Sequence, residues 1–260
     1  MHSTKIFNND TINQSTTSAL HLALAKTDED ARLSQPMHHL IGIYGGTFDP
    51  PHIMHFQLML AALSHLNLEQ IRIIPCHIPA HGKTPIASAT DRLKMVELAS
   101  ASHPKLHIDT CEYERDTPSK TIDTLKILHK RFPDASLCLI IGMDNLINFT
   151  TWHQWEEILT LTHLVVANRP GYSLPKEGPI AELLKKRLID NKRLLQTSQA
   201  GSVLFFDAPQ LEISSTAIRD AFASGKASKF IPSQVQTYIN EHHLYIPPAQ
   251  DILPHLVAKL

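Results

Sequence analysis

Cysteine is scarce in this chain: Cys76, Cys111 and Cys138 are the only three in 260 residues, and no two form a C-x-x-C pair. An odd, sparse set argues against a disulfide framework and for free thiols in a reducing compartment, so a cytoplasmic protein is expected. A surplus of positive charge is also missing. Lys+Arg 24 stand against Asp+Glu 25, for a formal net charge of −1. Without a basic field, no nucleic-acid partner is expected. Long apolar runs are lacking too. The stretch Ala19–Ala25 is too short to span a bilayer and is broken by His21, so no membrane partner is expected. A signal peptide would want more than Lys5 ahead of that stretch, and the acids Asp28-Glu29-Asp30 behind it disfavour a transit peptide. The 17 histidines include the pairs His38-His39 and His242-His243, but these lack partners at zinc-site spacing, and no dedicated protein metal site is expected. Neither G-x-x-x-x-G-K-[ST] nor G-x-G-x-x-G occurs. The first absence excludes a P-loop, and the second weakens a dinucleotide oxidoreductase.

What the chain does have is regular alternation from Leu40 onward. Apolar runs at Leu40–Tyr44, Ile71–Pro75, Leu106–Asp109, Leu137–Ile141, His163–Ala167 and Val203–Phe206 read as buried strands. Between them lie helical patterns at Thr90–Ser100 (opened by a threonine cap and Asp91), Thr121–Arg131, Trp155–Leu161 and about Pro179–Asn191. Lys185-Lys186-Arg187 reads as a solvated helix face. Continuous apolar strands separated by helices imply a parallel sheet covered on both faces. The expected fold class is therefore α/β: a doubly wound, mostly parallel, Rossmann-like sheet with its ligand at the carboxyl ends of the strands. Residues 1–37, rich in Ser, Thr and Asn, read as a mobile polar extension with one short helix near Ala19–Arg32. Residues 38–246 read as the domain and 247–260 as a tail.

Two segments about 160 residues apart carry chemistry. Gly45-Gly46-Thr47-Phe48-Asp49-Pro50-Pro51-His52-Ile53-Met54-His55 reads as strand end, tight phosphate-sized turn and helix start. Its histidines, at i and i+3, share one face at the positive end of that helix. Ile213-Ser214-Ser215-Thr216-Ala217-Ile218-Arg219 opens another helix with three hydroxyls and sets an arginine one turn later. Taken alone, the hydroxyls serve equally well as N-caps, Arg219 as a surface arginine, Asp144 as a turn acid and Trp152 as core. Together, the two segments suit a nucleoside triphosphate held between two helix N-termini.

Gly45–His55 resembles the G-[GT]-F-D-P-x-H-x-G-H signature of the nucleotidyltransferase superfamily, and Ile213–Arg219 resembles its I-S-x-T-x-x-R element. Four narrower stretches, Ser119–Leu125, Ile141–Asp144, Thr151–Trp155 and Asn168–Gly171, are similar to bacterial nicotinate-nucleotide adenylyltransferases, as is the ending Phe230–Tyr245. The resemblance spans roughly residues 40–246 in the family's order and spacing. Met54 stands where the family usually has glycine, and Lys83 stands one place later than the family's basic residue.

This resemblance implies adenylyl transfer from ATP to nicotinate mononucleotide, with Mg²⁺ arriving on ATP and no protein cage for it. It implies His52, His55 and Arg219 as catalytic groups. Gly45, Gly46, Thr47, Phe48, Lys83, Gly142, Asp144, Arg169, Ser214, Thr216 and Arg219 would meet ATP. Thr121, Ile122, Trp152 and His153 would meet nicotinate mononucleotide. Assembly into a homo-oligomer is left open. The alternatives are a related nucleotidyltransferase acting on nicotinamide mononucleotide or phosphopantetheine, and a non-catalytic ATP sensor on the same fold. A tRNA synthetase fragment would need K-M-S-K-S, which is absent.

Overall fold

The computed structural model describes residues 30, 31, 33, 34, 37–80, 84–168, 171, 173–209 and 213–246. Six strands form one sheet: β1 (His39–Gly46), β2 (Gln70–Pro75), β3 (Leu106–Ile108), β4 (Ala135–Gly142), β5 (His163–Asn168) and β6 (Val203–Asp207). Their order is β3-β2-β1-β4-β5-β6, and every pairing is parallel. The strand order therefore reverses between β1 and β4. At such a switch point the flanking connections leave towards opposite faces and open a crevice at the carboxyl ends.

Strand period explains the two cores. Along β1, Leu40 packs on one face while Ile41 and Ile43 pack on the other. Along β4, Cys138 and Ile140 join Leu40, whereas Leu137, Leu139 and Ile141 join Ile41. The first face is covered by α1 (Ile53–His65), α2 (Ala89–Ser100), α7 (Ser215–Ala223) and α8 (Ser233–Glu241). The second is covered by α3 (Thr121–Arg131), α5 (Trp155–Leu161) and α6 (Pro179–Arg187), with the short α4 (Met143–Ile147) after β4. With both faces covered, β4 is buried from Ala135 to Ile141, which is why it reads as an unbroken apolar run.

The doubly wound expectation thus holds, with adjustments at element ends. β1 continues through Gly46, so the tight turn is Thr47–Pro51 rather than the glycine pair. The cap of α2 is Ser88, whose hydroxyl accepts the Asp91 amide at 3.1 Å. Thr90 already lies inside the first turn. α6 stops at Arg187, short of Asn191, because Leu188 turns extended and bridges Val203. Lys185, Lys186 and Arg187 are exposed in its last turn. Of the short helix expected near Ala19–Arg32, Asp30 and Ala31 are helical, and the rest lies outside the described residues. Among the described residues no helix is long and apolar enough to cross a membrane.

Candidate active site

Beyond Gly46 the chain has to turn without closing off the strand end. A Cβ on Gly46 would stand 2.9 Å from the Phe48 ring. Glycine is what lets Phe48, at φ 53°, fold its side chain back into the core. Arg92, 1% exposed, reaches up from α2 and donates to the carbonyl oxygens of Thr47 (2.8 Å), Cys76 (2.5 Å) and His77 (3.0 Å). It thereby ties together the turns that follow β1 and β2. The Asp49 carboxylate accepts the amides of Ile86 (2.9 Å) and Ala87 (3.0 Å) and the Tyr245 hydroxyl (2.9 Å). Ser215 donates to the Pro50 carbonyl at 3.1 Å. Arg219 donates to the Asp49 carbonyl at 2.7 Å, with its guanidinium 3.7 Å from the carboxylate. The two segments that are distant in sequence meet here.

His52 is the N-cap of α1 and His55 its third helical residue, so one turn stacks their rings with centroids 3.7 Å apart. The His52 amide donates to Nδ1 of His55 at 3.0 Å. Because Nδ1 accepts, the neutral His55 ring carries its proton on Nε2, pointing a donor away from the helix. The Phe48 ring meets His55 edge-on at 5.1 Å and Tyr44 flanks it at 6.3 Å. Burial pushes the His52 pKa down to about 4, and burial followed by the neighbouring His52 drives His55 well below the usual imidazole value. Both rings are therefore neutral hydrogen-bond donors near pH 7. Tyr44 is held protonated by burial and by the carboxylate of Asp144.

Two lobes open on either side of the end of β1. Tyr44 points into one of about 280 Å³ that His52, Met54, His55, Gly142, Asp144, Ala167 and Ile213 help line. Ile43 and Gly45, one residue before and after, face the other, of about 190 Å³, with Thr121, Thr124, Leu139 and Trp152. A cavity of about 150 Å³ accepts benzene, so this second lobe is large enough for a single substituted six-membered ring. It continues outward past Thr47, Ser119, Lys120, Trp152 and His153. Asn145, after β4, lines both lobes and stands where they join.

Thr47, Gly142, Asp144, Thr121, Trp152 and His153 all border the two lobes. Ile122 is fully buried, so only its main chain can face a ligand. It lies in the first turn of α3, whose cap residue Lys120 supplies no side-chain bond. Ser214 caps the Ala217 amide at 3.2 Å, and the Thr216 hydroxyl accepts from Arg219 at 3.1 Å. Lys83 and Arg169 lie outside the described residues. Met54 fills part of the first lobe's wall where a glycine would leave it open. The sequence reading missed Arg92 and Asn145 and passed over Asp49. Asp49 sits inside the first motif and could have been read from it, whereas Arg92 is one arginine among many on an unremarkable helix.

Residues 43–221 match the cytidylyltransferase-like family model. A protein from Aeromonas hydrophila subsp. hydrophila called probable nicotinate-nucleotide adenylyltransferase is 40% identical over 208 residues, covering 80% of this chain and 97% of its own. The chain belongs to the nicotinate-nucleotide adenylyltransferase family. A second member, from Acidithiobacillus ferrooxidans, is 40% identical over 215 residues, covering 81% of this chain and 98% of its own. The fold is also that of Plasmodium falciparum nicotinic acid mononucleotide adenylyltransferase complexed with APC, at TM-score 0.59 and 21% identity, covering 80% of this chain and 98% of that one. The chain thus has a nucleotidyltransferase fold, and its own crevice is divided into two lobes. The histidine pair lines the first of its two lobes.

Proposed function

We propose that the protein joins nicotinate mononucleotide to ATP, giving nicotinate adenine dinucleotide and pyrophosphate. Relatives named for this activity at 40% identity over nearly their whole length support the reading. The observation that carries it is the pair of lobes joined at Asn145: one takes a nucleoside triphosphate and is lined by the stacked histidines, the other takes a flat ring. A phosphate oxygen of the mononucleotide attacks the α-phosphorus of ATP in line, the bond to the bridging oxygen breaks, and pyrophosphate leaves. Such a step asks for positioning and charge neutralisation more than for a nucleophile on the protein. Nε2–H of His55, with His52 beside it, donates to the oxygens on which charge accumulates. Amides of Thr47 and Phe48 receive phosphate, and the Asp144 carboxylate bonds ribose hydroxyls. Arg219, steadied by Asp49 and Thr216, together with Ser214, Lys83 and Arg169, holds the outer phosphates. Mg²⁺ enters as part of the ATP substrate, held by phosphate oxygens and water.

In the second lobe Trp152 stacks on the pyridine ring, and amides at Ile122 and His153 bond the nicotinate carboxylate, with Thr121 shaping the wall. A carboxylate only accepts hydrogen bonds, whereas a carboxamide also brings donors that would face those amides. Free thiols at Cys76, Cys111 and Cys138 suit a cytoplasmic setting. The test is pyrophosphate release from Mg-ATP with nicotinate mononucleotide and, separately, with nicotinamide mononucleotide. The acid is expected to react far faster, and equal rates would overturn the pocket assignment.

A further inference from the structure

The inner wall of the ring-sized lobe holds a charge that none of the steps above uses. Glu112 is 7% exposed and lines this lobe. Its Oε1 accepts the Thr124 hydroxyl at 2.6 Å, while Oε2 is buried with no hydrogen-bond partner among the described residues. Arg115 does not reach that second oxygen. It donates to Thr124 at 2.9 Å, stands 4.0 Å from Oε1, and turns its other nitrogen towards Asp123 at 3.9 Å. The Arg92 guanidinium is engaged by three carbonyls, of Thr47, Cys76 and His77. A buried carboxylate oxygen left without a donor is costly unless whatever fills the lobe supplies positive charge.

We propose that Glu112 is a specificity-determining residue that recognises the positive charge of a pyridinium ring. The inference rests on the function proposed above. In nicotinate mononucleotide the ring nitrogen is quaternised by ribose, so the ring is cationic and its C–H groups are polarised donors. The lobe is electrically divided to match. Glu112 lines the inner lobe only; Thr121, at the start of α3, lines both parts, and Lys120 and His153 line only the outward continuation. The cationic ring faces Glu112, and the substrate carboxylate points outward to the amides. A reversed ring would set two carboxylates against each other. Glu112 therefore fixes which way the ring enters, and Trp152 sets only its plane.

The probes are nicotinate mononucleotide and its 1,4-dihydro form, which keeps the carboxylate and phosphate but has an uncharged ring. Wild-type protein is expected to bind the pyridinium at least about tenfold more tightly, read as KM against the competitive inhibition constant of the dihydro form. Glu112→Gln keeps an acceptor for Thr124 and removes the charge. It is expected to raise KM for the pyridinium roughly tenfold to hundredfold, with little change in kcat and a change within about twofold for the dihydro form. Equal wild-type affinity for the two probes overturns the proposal without any variant, and so does a parallel loss for both in Glu112→Gln. A wild-type protein that releases no pyrophosphate with nicotinate mononucleotide instead sinks the function, and the substrate charge invoked here goes with it.

Discussion

At the scale of single residues, the histidine pair is uncharged near neutral pH. His55→Ala removes one donor from the wall of the first lobe and the acceptor that holds the His52 amide. Turnover is expected to fall about 10²-fold or more with the fold retained, because a lost transition-state donor costs about that much. Near-normal kcat in steady-state assays, with unfolding unchanged, would take His55 out of the mechanism. The same burial has a second consequence, for stability. The His52 pKa is lowered to about 4 in the fold against about 6.5 in the unfolded chain, so on acidification the unfolded chain takes up the proton first. That contribution to stability is fully present above pH 6.5 and is lost as pH falls towards 4. Urea unfolding between pH 7 and pH 4.5 is expected to show declining stability. His52→Asn should remove up to about 1.4 kcal/mol per pH unit from the slope, and an unchanged slope would contradict the lowered value.

At the scale of elements, what could be read in advance follows from how local the causes are. The strands announce themselves because both faces of the sheet are covered, leaving apolar runs such as Leu137–Ile141 with no polar interruption. Thr121–Arg131 and Trp155–Leu161 are legible end to end because their patterns and stops are local. Ends decided by tertiary contacts are not. α6 stops early because Leu188 finds a bridge to Val203, a neighbour set by sheet order rather than by the helix's own residues. β1 runs through Gly45 and Gly46, which read alone as a turn, because β2 pairs with both of them. α8 has no side-chain cap, and its short apolar pattern, Val235, Tyr238 and Ile239, settles by packing against the first core. The site divides along the same line. The i, i+3 histidines and the hydroxyls of α7 sit in short motifs, whereas Arg92, Asn145 and Glu112 gain their roles only from neighbours brought together by the fold.

At the scale of the whole molecule, Asp49 is where distant parts of the chain meet. Its carboxylate takes amides from residues 86 and 87 and a hydroxyl from Tyr245, 196 positions away, with Arg219 alongside. Four stretches of chain thus share one buried acid that sits three residues before His52. The Tyr245 hydroxyl donates to a charged acceptor at 2.9 Å in a site where both residues are buried, so the contact is among the stronger kinds of hydrogen bond. Asp49→Asn turns at least one donor towards donors already present, and Tyr245→Phe leaves the carboxylate one partner short. Each alone is expected to destabilise by about 1–3 kcal/mol, as for buried polar groups left unmatched. Because Asp49→Asn takes the charge from the acceptor that Tyr245→Phe leaves without its hydroxyl, both changes act on one charge-assisted bond and their effects should not add. A double-mutant cycle by urea unfolding should give a coupling of roughly 0.5–3 kcal/mol. Arg219 leans on the same acid, so the single variants should also raise KM for ATP in proportion to the disturbance. Additive unfolding energies, within about 0.5 kcal/mol, together with an unchanged KM, would mean that Tyr245 merely packs at the end of the fold and that the acid holds the two motifs together without it.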